Sequence, residues 1–504
     1  MRVLISILLF NQLIFSANIL SNCIVAPDTR TFERFQFTFP EQIESEHFIV
    51  HFTTSNADSQ FVNEQWLNLQ CNFGYAQSVI ELAEYALAIF MEADWEMMPP
   101  DCDEGITDEE SPNHCNNFGG NALYDIYLAN DAVGLVAPEN PYPVEPYIGG
   151  FTSFMQVTPL GNDHTFVPDW SVHVIAHELH HAIQIRYGTS VSGEPGNYAY
   201  NGWLYEQTST YMENVIFPAS YHFLVMMGNC NITSPLTYPE ISIDSSVDIY
   251  QYRSALWQKF LVEAYGDSTI NRLIWEGFGL ETATGNPVNM FPIYESALQT
   301  VTDGVTTLGD AYEDYALWRY FTGSRSRPGE FFMQAASYCT ANLLAIEETS
   351  TTFPSEKGGA RLVKLLPYET NLVLASSAYD NLLVQHISFS EEDEILMSSI
   401  EVNGEESFFQ LNNPAGDNHA LLITSEYTAE PGEEIEFTLS NTVPFMEGDI
   451  TGDSMVNVQD IIVQINIILH QIDPTDYQWL AADLDENNVV DVLDVILLVN
   501  LILG

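Results

Sequence analysis

Positively charged side chains are scarce in this chain. Its 504 residues include 13 lysines and arginines against 70 aspartates and glutamates, which gives a formal net charge of −57. A surface this acidic repels phosphate backbones and anionic headgroups, so we expect neither nucleic acids nor anionic membranes as partners. The surplus of carboxylates fits either a saline habitat or a secreted protein that binds calcium, and the sequence does not separate these two explanations.

Long apolar runs are missing after the N-terminus. Arg2, the largely apolar stretch 3–15 and the small residues Ser16 and Ala17 predict a secretory signal peptide over residues 1–17. No later run reaches the roughly 20 residues of a transmembrane helix, so we expect no membrane span. We therefore expect a secreted, extracellular protein, either free or associated with the cell surface. Lipidation at Cys23 is an open alternative.

Cysteine pairs of the CxxC type are also absent, which argues against a cysteine metal site. The six cysteines fit an oxidising compartment outside the cytosol. Cys102 and Cys115 bracket an acidic loop that contains proline, and we predict a disulfide between them. The sequence does not decide how Cys23, Cys71, Cys230 and Cys339 pair.

The most informative motif is His-Glu-Leu-His-His at residues 177–181, inside a stretch with apolar flanks that predicts one helix over 171–186. His177 and His181 lie one turn apart on the same face of such a helix. Two imidazoles at this spacing reach a single zinc ion, and Glu178 then lies beside the metal as a general base. The motif predicts zinc-dependent hydrolysis of peptide bonds.

A third ligand is expected from a second predicted helix over 201–214. Glu206 follows His181 by 25 residues, which is enough for the chain to turn and return alongside the first helix. Three protein ligands plus a water molecule form the catalytic type of zinc site. Glu213, two turns further, is the alternative ligand or a partner of a ligand, and Thr210 is expected to hydrogen-bond a ligating imidazole.

Other side chains near the motif have weaker claims. His173 and His180 are interpreted as packed or partly exposed histidines and not as ligands. Tyr250 and Tyr252 are candidates for stabilising the oxyanion of the reaction, with simple packing as an equally open interpretation. The predicted strand over 149–157 is a candidate to pair with the backbone of a peptide substrate.

The order of predicted elements indicates a multidomain α+β chain. Residues 18–340 combine a mixed sheet lobe with a helical lobe, and the metal helices lie where the two meet in sequence. Short alternating segments over 345–445 predict a β-sandwich accessory domain. The elements expected in the front part are strands at 46–53, 121–128 and 149–157, and helices at 73–96, 249–266, 268–276 and 311–321.

The C-terminal part contains an internal repeat at an offset of 34 residues. Each copy places oxygen-bearing side chains at positions 1, 3, 5, 9 and 12 of a loop, with a backbone carbonyl at position 7. This is the spacing of a calcium loop, so two Ca²⁺ ions are expected. The predicted ligands are Asp449, Thr451, Asp453, Met455, Asn457 and Asp460 in the first loop, and Asp483, Asp485, Asn487, Val489, Asp491 and Asp494 in the second.

Residues 448–504, with one helix after each loop, resemble a type I dockerin. The resemblance implies a small α-helical calcium-binding domain that binds a cohesin module of a scaffolding protein, as in extracellular assemblies of the cellulosome type. Ser454 and Asn488 stand where dockerins usually carry glycine. The positions that set partner choice are unusually apolar, so docking of this module onto the sandwich is an alternative; these positions are Val458, Gln459, Val492 and Leu493.

Residues 46–323 are similar to a family of secreted bacterial metalloproteases of the gluzincin type. The resemblance implies a zincin-like domain with one catalytic Zn²⁺ held by His177, His181 and Glu206, with Glu178 as the base. The landmarks that carry it are Pro99–Asp101, Tyr124–Tyr127, His177–Gln184, Trp203–Glu206, Met212–Glu213, Ala264–Gly266 and Trp318–Gly323.

Two alternatives remain beside a secreted zinc endopeptidase acting on proteins or peptides. The first is a zincin-fold binding or adhesion protein without turnover. The second is a zinc hydrolase that acts on a substrate other than a peptide.

Overall fold

The computed structural model describes residues 34–62, 65–102, 114–115, 120–129, 134–161, 163–189, 201–282, 288–346, 350–354, 358–366, 371–390, 395–411, 418–425, 434–441, 446–452, 455–474, 476–485, 487 and 489–503. The predicted signal peptide over 1–17 and Cys23 lie outside these residues.

Contacts between backbones divide the chain into two units. The first comprises residues up to 237, 243–311 and 321–340, and the second comprises 238–242, 312–320 and 341–504. Both contain strands and helices, so the expectation of a multidomain α+β chain with several sheets is confirmed.

The first unit begins with strands. They are β1 (Glu41–Glu44), β2 (Phe48–Phe52), β3 (Ser59–Val62), β4 (Gln65–Asn68), β5 (Tyr124–Tyr127), β6 (Gly134–Pro141) and β7 (Phe151–Val157). Five of them form a mixed sheet in the order β1-β2-β5-β7-β6, while β3 and β4 pair as a separate hairpin. The central strands run parallel, and β1 and β6 are antiparallel to their neighbours.

The edge of this sheet differs from the expectation. The strand predicted over 149–157 exists as β7, but it is hydrogen-bonded to both β5 and β6. Within the described residues, the edge strand beside β7 is β6, and the opposite edge is β1. The sequence did not predict β6, because Pro138 and Pro141 interrupt its pattern. Proline lacks a backbone N–H, so it is tolerated at a sheet edge and not inside a sheet. Strand β7 therefore has no unpaired edge along the residues that bond β5 and β6.

The first unit also contains helices, two of which, over 222–228 and 290–301, were not predicted from the sequence. They are α1 (Phe73–Glu92), α2 (Val172–Tyr187), α3 (Gly202–Ile216), α4 (His222–Gly228), α5 (Tyr250–Arg253), α6 (Ala255–Tyr265), α7 (Ile270–Thr282) and α8 (Met290–Val301), followed by α9 (Leu308–Tyr320), whose residues divide between the units. The two helices that carry the predicted zinc ligands, α2 and α3, pack directly against each other, and nearly all of their side chains are buried.

Two predicted helices end or break earlier than expected, and the helix predicted over 268–276 continues to Thr282. The helix expected over 73–96 ends at Glu92, because Asp94 adopts a left-handed backbone with φ of 58°. The helix expected over 249–266 is broken at Ser254 into α5 and α6. Short polar side chains such as Asp and Ser compete with the helical backbone for hydrogen bonds, which explains why both ends lie at such residues.

The second unit holds two sheets. Their strands are β8 (Leu344–Ala345), β9 (Ser350–Pro354), β10 (Ala360–Leu365), β11 (Asn371–Ala375), β12 (Leu382–Phe389), β13 (Leu396–Ile400), β14 (Glu406–Gln410), β15 (Asn418–Ser425) and β16 (Glu434–Asn441). The orders are β13-β12-β15-β10-β8 and β14-β11-β16-β9. Inward residues of both sheets, such as Leu374 and Ile423, share one apolar cluster, which is how the two faces of a sandwich are held together.

The C-terminal part of the second unit contains α10 (Val458–Ile468), α11 (Asp476–Ala482) and α12 (Val492–Leu503). Helix α10 begins at a capping box, in which Asn457 and Asp460 satisfy each other's backbone N–H groups. Ile450, Ile467 and Leu498 are buried in one small core that links the two repeats.

Two disulfides are present among the described residues. The predicted bond between Cys102 and Cys115 is confirmed, and a second bond joins Cys230 to Cys339. Cys71 is a buried free thiol, and burial raises its pKa to about 12, so it is an inert core residue. None of the described helices has the length and apolarity needed to cross a membrane.

Candidate metal centre

The three predicted zinc ligands converge in the first unit. Helix α2 supplies His177 and His181 from successive turns, and α3 supplies Glu206 from the facing side. His177 Nε2 lies 3.1 Å and His181 Nε2 lies 3.3 Å from the same carboxylate oxygen, Glu206 Oε2. His181 and Glu206 are 25 residues apart in the sequence, and they meet because α2 and α3 pack side by side. The donor set of two imidazoles and one carboxylate is the set that catalytic zinc uses.

Burial and charge set the protonation of these ligands. Burial alone raises the pKa of Glu206, but the imidazoles of His181 and His177 outweigh it and hold that pKa well below its ordinary value. Burial lowers the pKa of His181 more than the Glu206 carboxylate raises it. The carboxylate is therefore anionic and the imidazole of His181 is neutral, the forms in which both groups bind a metal.

The far side of each imidazole is held by a buried partner. His177 Nδ1 donates to Glu213 Oε1 at 2.7 Å, and His181 Nδ1 lies 2.7 Å from Gln184 Oε1. Such partners choose the tautomer that leaves Nε2 free to bind the metal. Of the two roles that the sequence left open for Glu213, this structure supports the partner of a ligand.

The predicted role of Thr210 is wrong. Its hydroxyl is buried and makes no hydrogen bond within the described part of the chain. The neighbouring Ser209 hydroxyl instead lies 3.1 Å from His181 Nδ1 and 2.9 Å from His180 Nδ1. Adjacent residues on a helix point about 100° apart. The prediction was wrong by one position, so it named a hydroxyl that points away from the imidazoles.

The predicted base, Glu178, lies in α2 beside the two histidines and is 2% exposed. Its side chain fills the space that Gly134, the first residue of β6, leaves free. A Cβ atom at Gly134 would lie 2.5 Å from Glu178 Cγ and 2.6 Å from Oε1, which is closer than real atoms approach. Gly134 therefore lets the edge strand run directly over the carboxylate. The sequence reading missed this glycine because the contact is tertiary.

Of the two candidate tyrosines, Tyr252 faces the metal ligands. Its ring stacks on that of His177, with 5.9 Å between centroids and 21° between planes. Tyr250 lies two positions earlier on α5 and is 1% exposed. Residues two apart on a helix point to different sides, so Tyr250 is not expected to share the face of α5 that carries Tyr252.

The segment before Tyr252 has an unusual backbone. Asp248 and Ile249 have φ angles of 47° and 56°, which are rare for L-residues and costly for a β-branched one. The conformation is held by Arg253, whose Nη1 donates to the Asp248 carbonyl and the Thr233 carbonyl, each at 2.8 Å. Strain of this kind concentrates at functional sites.

The two remaining histidines of α2 differ from each other. His180 is fully buried and stacks on Phe90 with centroids 5.3 Å apart, which confirms its interpretation as a packed residue. His173 packs against another histidine. Its ring stacks on His222 of α4 with centroids 4.0 Å apart, next to Glu213. His222 was not singled out from the sequence, because it lies alone among apolar residues of α4.

In both predicted calcium loops, the last carboxylate accepts hydrogen bonds from backbone N–H groups of the same loop. Asp460 accepts from Thr451 N and Asn457 N, both at 2.8 Å, and Asp494 accepts from Leu484 N at 2.9 Å and from Asp491 N at 2.8 Å. The last carboxylate of each repeat is thus folded back over its loop.

In the second loop, oxygens of Asp483, Asp485 and Asp494 lie within 4.8 Å of one another, close enough to share a cation. Asn487 belongs to the same loop, and its backbone N–H donates a hydrogen bond to Asp483 Oδ1. In the first loop, Asp449 and Asp460 are fully buried, while Asp453 lies outside the described residues.

One protein-family model matches part of the chain. Residues 166–292 match the family described as "Family of unknown function (DUF6055)". The matched segment contains all three predicted zinc ligands, Glu178 and Tyr252. No curated protein sequence matches the chain.

Proposed function

We propose that this chain is a secreted zinc-dependent hydrolase of peptide bonds. The observation that supports this most is the meeting of His177 Nε2 and His181 Nε2 at one carboxylate oxygen of Glu206, with Glu178 on the same helix. A buried set of two imidazoles and one carboxylate matches zinc in ligand type and number. When bound, zinc lowers the pKa of a coordinated water and polarises the carbonyl of the substrate.

The residues around the metal ligands supply the remaining functions. Glu178 accepts the proton of the attacking water on its carboxylate and delivers it to the leaving amine when the C–N bond breaks. Tyr252, beside His177, stabilises the negative charge that develops on the carbonyl oxygen. The edge strand β6 donates and accepts main-chain hydrogen bonds, which hold an extended peptide across Glu178.

Export is supported by the predicted signal peptide and by the two disulfides, Cys102–Cys115 and Cys230–Cys339. The C-terminal repeats are proposed to bind two Ca²⁺ ions and to tether the enzyme to a cohesin module. The clustered carboxylates of Asp483, Asp485 and Asp494 support the calcium part. A pull-down with cohesin modules tests the partner: capture in calcium that is lost in chelator is expected, and no capture in calcium refutes the tether.

The test of the enzyme uses casein and a peptide library with the parent chain and Glu178→Gln. We expect the variant to keep its zinc and to lose about 10²- to 10⁴-fold in rate, the usual contribution of a general base. Glu276→Gln removes a carboxylate that pairs with Arg272 on α7, and serves as the matched control with parent activity. Zinc chelation should abolish hydrolysis and added zinc should restore it.

The same experiment separates the alternatives. Equal rates in the parent and in Glu178→Gln would refute the proposed role of the base. Hydrolysis of esters or glycosides, with peptides left intact, would move the proposal to another substrate class. Zinc binding without turnover of any substrate in the panel would identify a binding protein.

A further inference from the structure

A second group of metal-binding side chains lies next to the first. His173 on α2, Glu213 on α3 and His222 on α4 each offer one ligand atom, and these atoms lie within 4.8 Å of one another. The three residues come from three different helices, so their meeting is a product of the tertiary fold and not of helical spacing. None of them belongs to the trio formed by His177, His181 and Glu206.

The two histidines of this group lie face to face. Their rings stack with 4.0 Å between centroids and 18° between planes, which brings both toward the same carboxylate. His173 Nδ1 is buried and has no hydrogen-bond partner within the described residues. A buried ring nitrogen without a partner costs free energy, and a bound cation would remove that cost.

Access and charge also fit a cation. The His222 side chain is 23% exposed, whereas that of Glu213 is 2% exposed, so the group opens to solvent on the His222 side. Two imidazoles and one carboxylate are donors for borderline transition metals such as zinc, whereas calcium requires a cage of oxygens.

We propose that His173, Glu213 and His222 form a second transition-metal site, separate from the zinc site of His177, His181 and Glu206. The proposal goes beyond hydrolysis and does not depend on it. The two sites share one connection through Glu213. One of its oxygens accepts from His177 Nδ1 at 2.7 Å, and the other faces His222 Nδ1. A cation in the second site therefore fixes the carboxylate that orients a ligand of the first.

The competing explanation uses the same contacts without a metal. His222 and His177 would each donate a hydrogen bond to Glu213. This chain of hydrogen bonds would only position the zinc ligand. The two explanations differ in the number of transition-metal ions that one chain binds.

The test counts zinc and cobalt in the full-length protein. The chain is stripped with chelator, and calcium is added in excess to occupy the acidic loops. It is then reloaded with Zn²⁺ or Co²⁺, freed of weakly bound metal, and measured by elemental analysis and by cobalt absorption. We expect two equivalents in the parent and one equivalent in both His222→Gln and His173→Gln. His164→Gln, a histidine outside both groups, is the matched control and keeps two.

Each outcome has a separate meaning. A single equivalent in the parent chain that His222→Gln and His173→Gln both keep overturns the second site. Two equivalents in folded His222→Gln, verified by circular dichroism, overturn it as well. His181→Gln should lose the other equivalent. If it loses none, the proposed zinc site fails while the second site stands, so the two proposals fail independently.

Discussion

Gly134 and Glu178 are in contact across the boundary between the sheet and the metal helix. A Cβ atom on Gly134 would stand 2.5 Å from Glu178 Cγ, so only glycine allows β6 to lie this close to α2. The relationship ties the edge strand, which we propose as the substrate-binding strand, to the proposed base. It also explains why a residue 44 positions away in sequence belongs to the site.

Gly134→Ala should displace the Glu178 carboxylate and leave zinc in place. A shift of about 1 Å in a catalytic group costs on the order of 10²-fold in rate, so we expect peptide hydrolysis to fall by that factor with unchanged zinc content. The matched control is Gly277→Ala on α7, whose Cβ would meet Ile293 Cγ2 at 2.7 Å, away from the metal ligands. Both variants should lose about 1–3 kcal/mol of stability from overpacking. Equal rates in the two variants would contradict the role of Gly134.

Tyr252→Phe should lower kcat by about 10²-fold, the loss that follows removal of one donor to an oxyanion, with little change in KM. Tyr250→Phe is the internal control, because its side chain points away from Tyr252 on the same short helix and should leave kcat within about twofold. Steady-state kinetics on one peptide substrate measures both. A larger effect from Tyr250→Phe than from Tyr252→Phe would reverse the assignment.

The meeting of His177, His181 and Glu206 was predictable because its signals are local. A helix places His177 and His181 on one face. The 25 residues between His181 and Glu206 are enough for the chain to turn once and return as a second helix beside the first. The signals that were missed are tertiary. Gly134 matters only because β6 crosses α2, and His222 only because α4 returns to Glu213. The strand β6 was missed because its prolines break a strand pattern, although prolines mark an edge strand.

The sandwich contains a histidine pair that should make stability depend on pH. Burial lowers the pKa of His386 to about 4, with His419 adding repulsion, against an ordinary value of 6.5. Between these values the unfolded chain binds a proton that the folded chain does not, so stability falls as pH decreases from about 6.5 toward 4 and is full above that range.

The measurement is scanning calorimetry of the full chain at several pH values. His386→Gln removes the titrating ring and keeps a donor for His419, so its melting temperature should fall less steeply with acid. His470→Gln changes an exposed histidine and should follow the parent profile. Superimposable profiles for the parent and His386→Gln would refute this assignment.

The calcium loops predict a change in stoichiometry. Asp494→Asn removes a charge from the group formed with Asp483 and Asp485, so titration calorimetry should show one calcium equivalent where the parent shows two. Asp473→Asn changes an exposed carboxylate outside both loops and should keep two. Two tight equivalents in Asp494→Asn would show that the second loop does not depend on this carboxylate.

The central claim is that two imidazoles and one carboxylate bind zinc, and diffraction data collected at the zinc absorption edge test it most directly. In crystals grown with zinc, we expect an anomalous peak at bonding distance, about 2.0–2.2 Å, from His177 Nε2, His181 Nε2 and a Glu206 oxygen. A zinc-loaded crystal with no peak between these three atoms, or with a peak that Glu206 does not bind, would contradict the account.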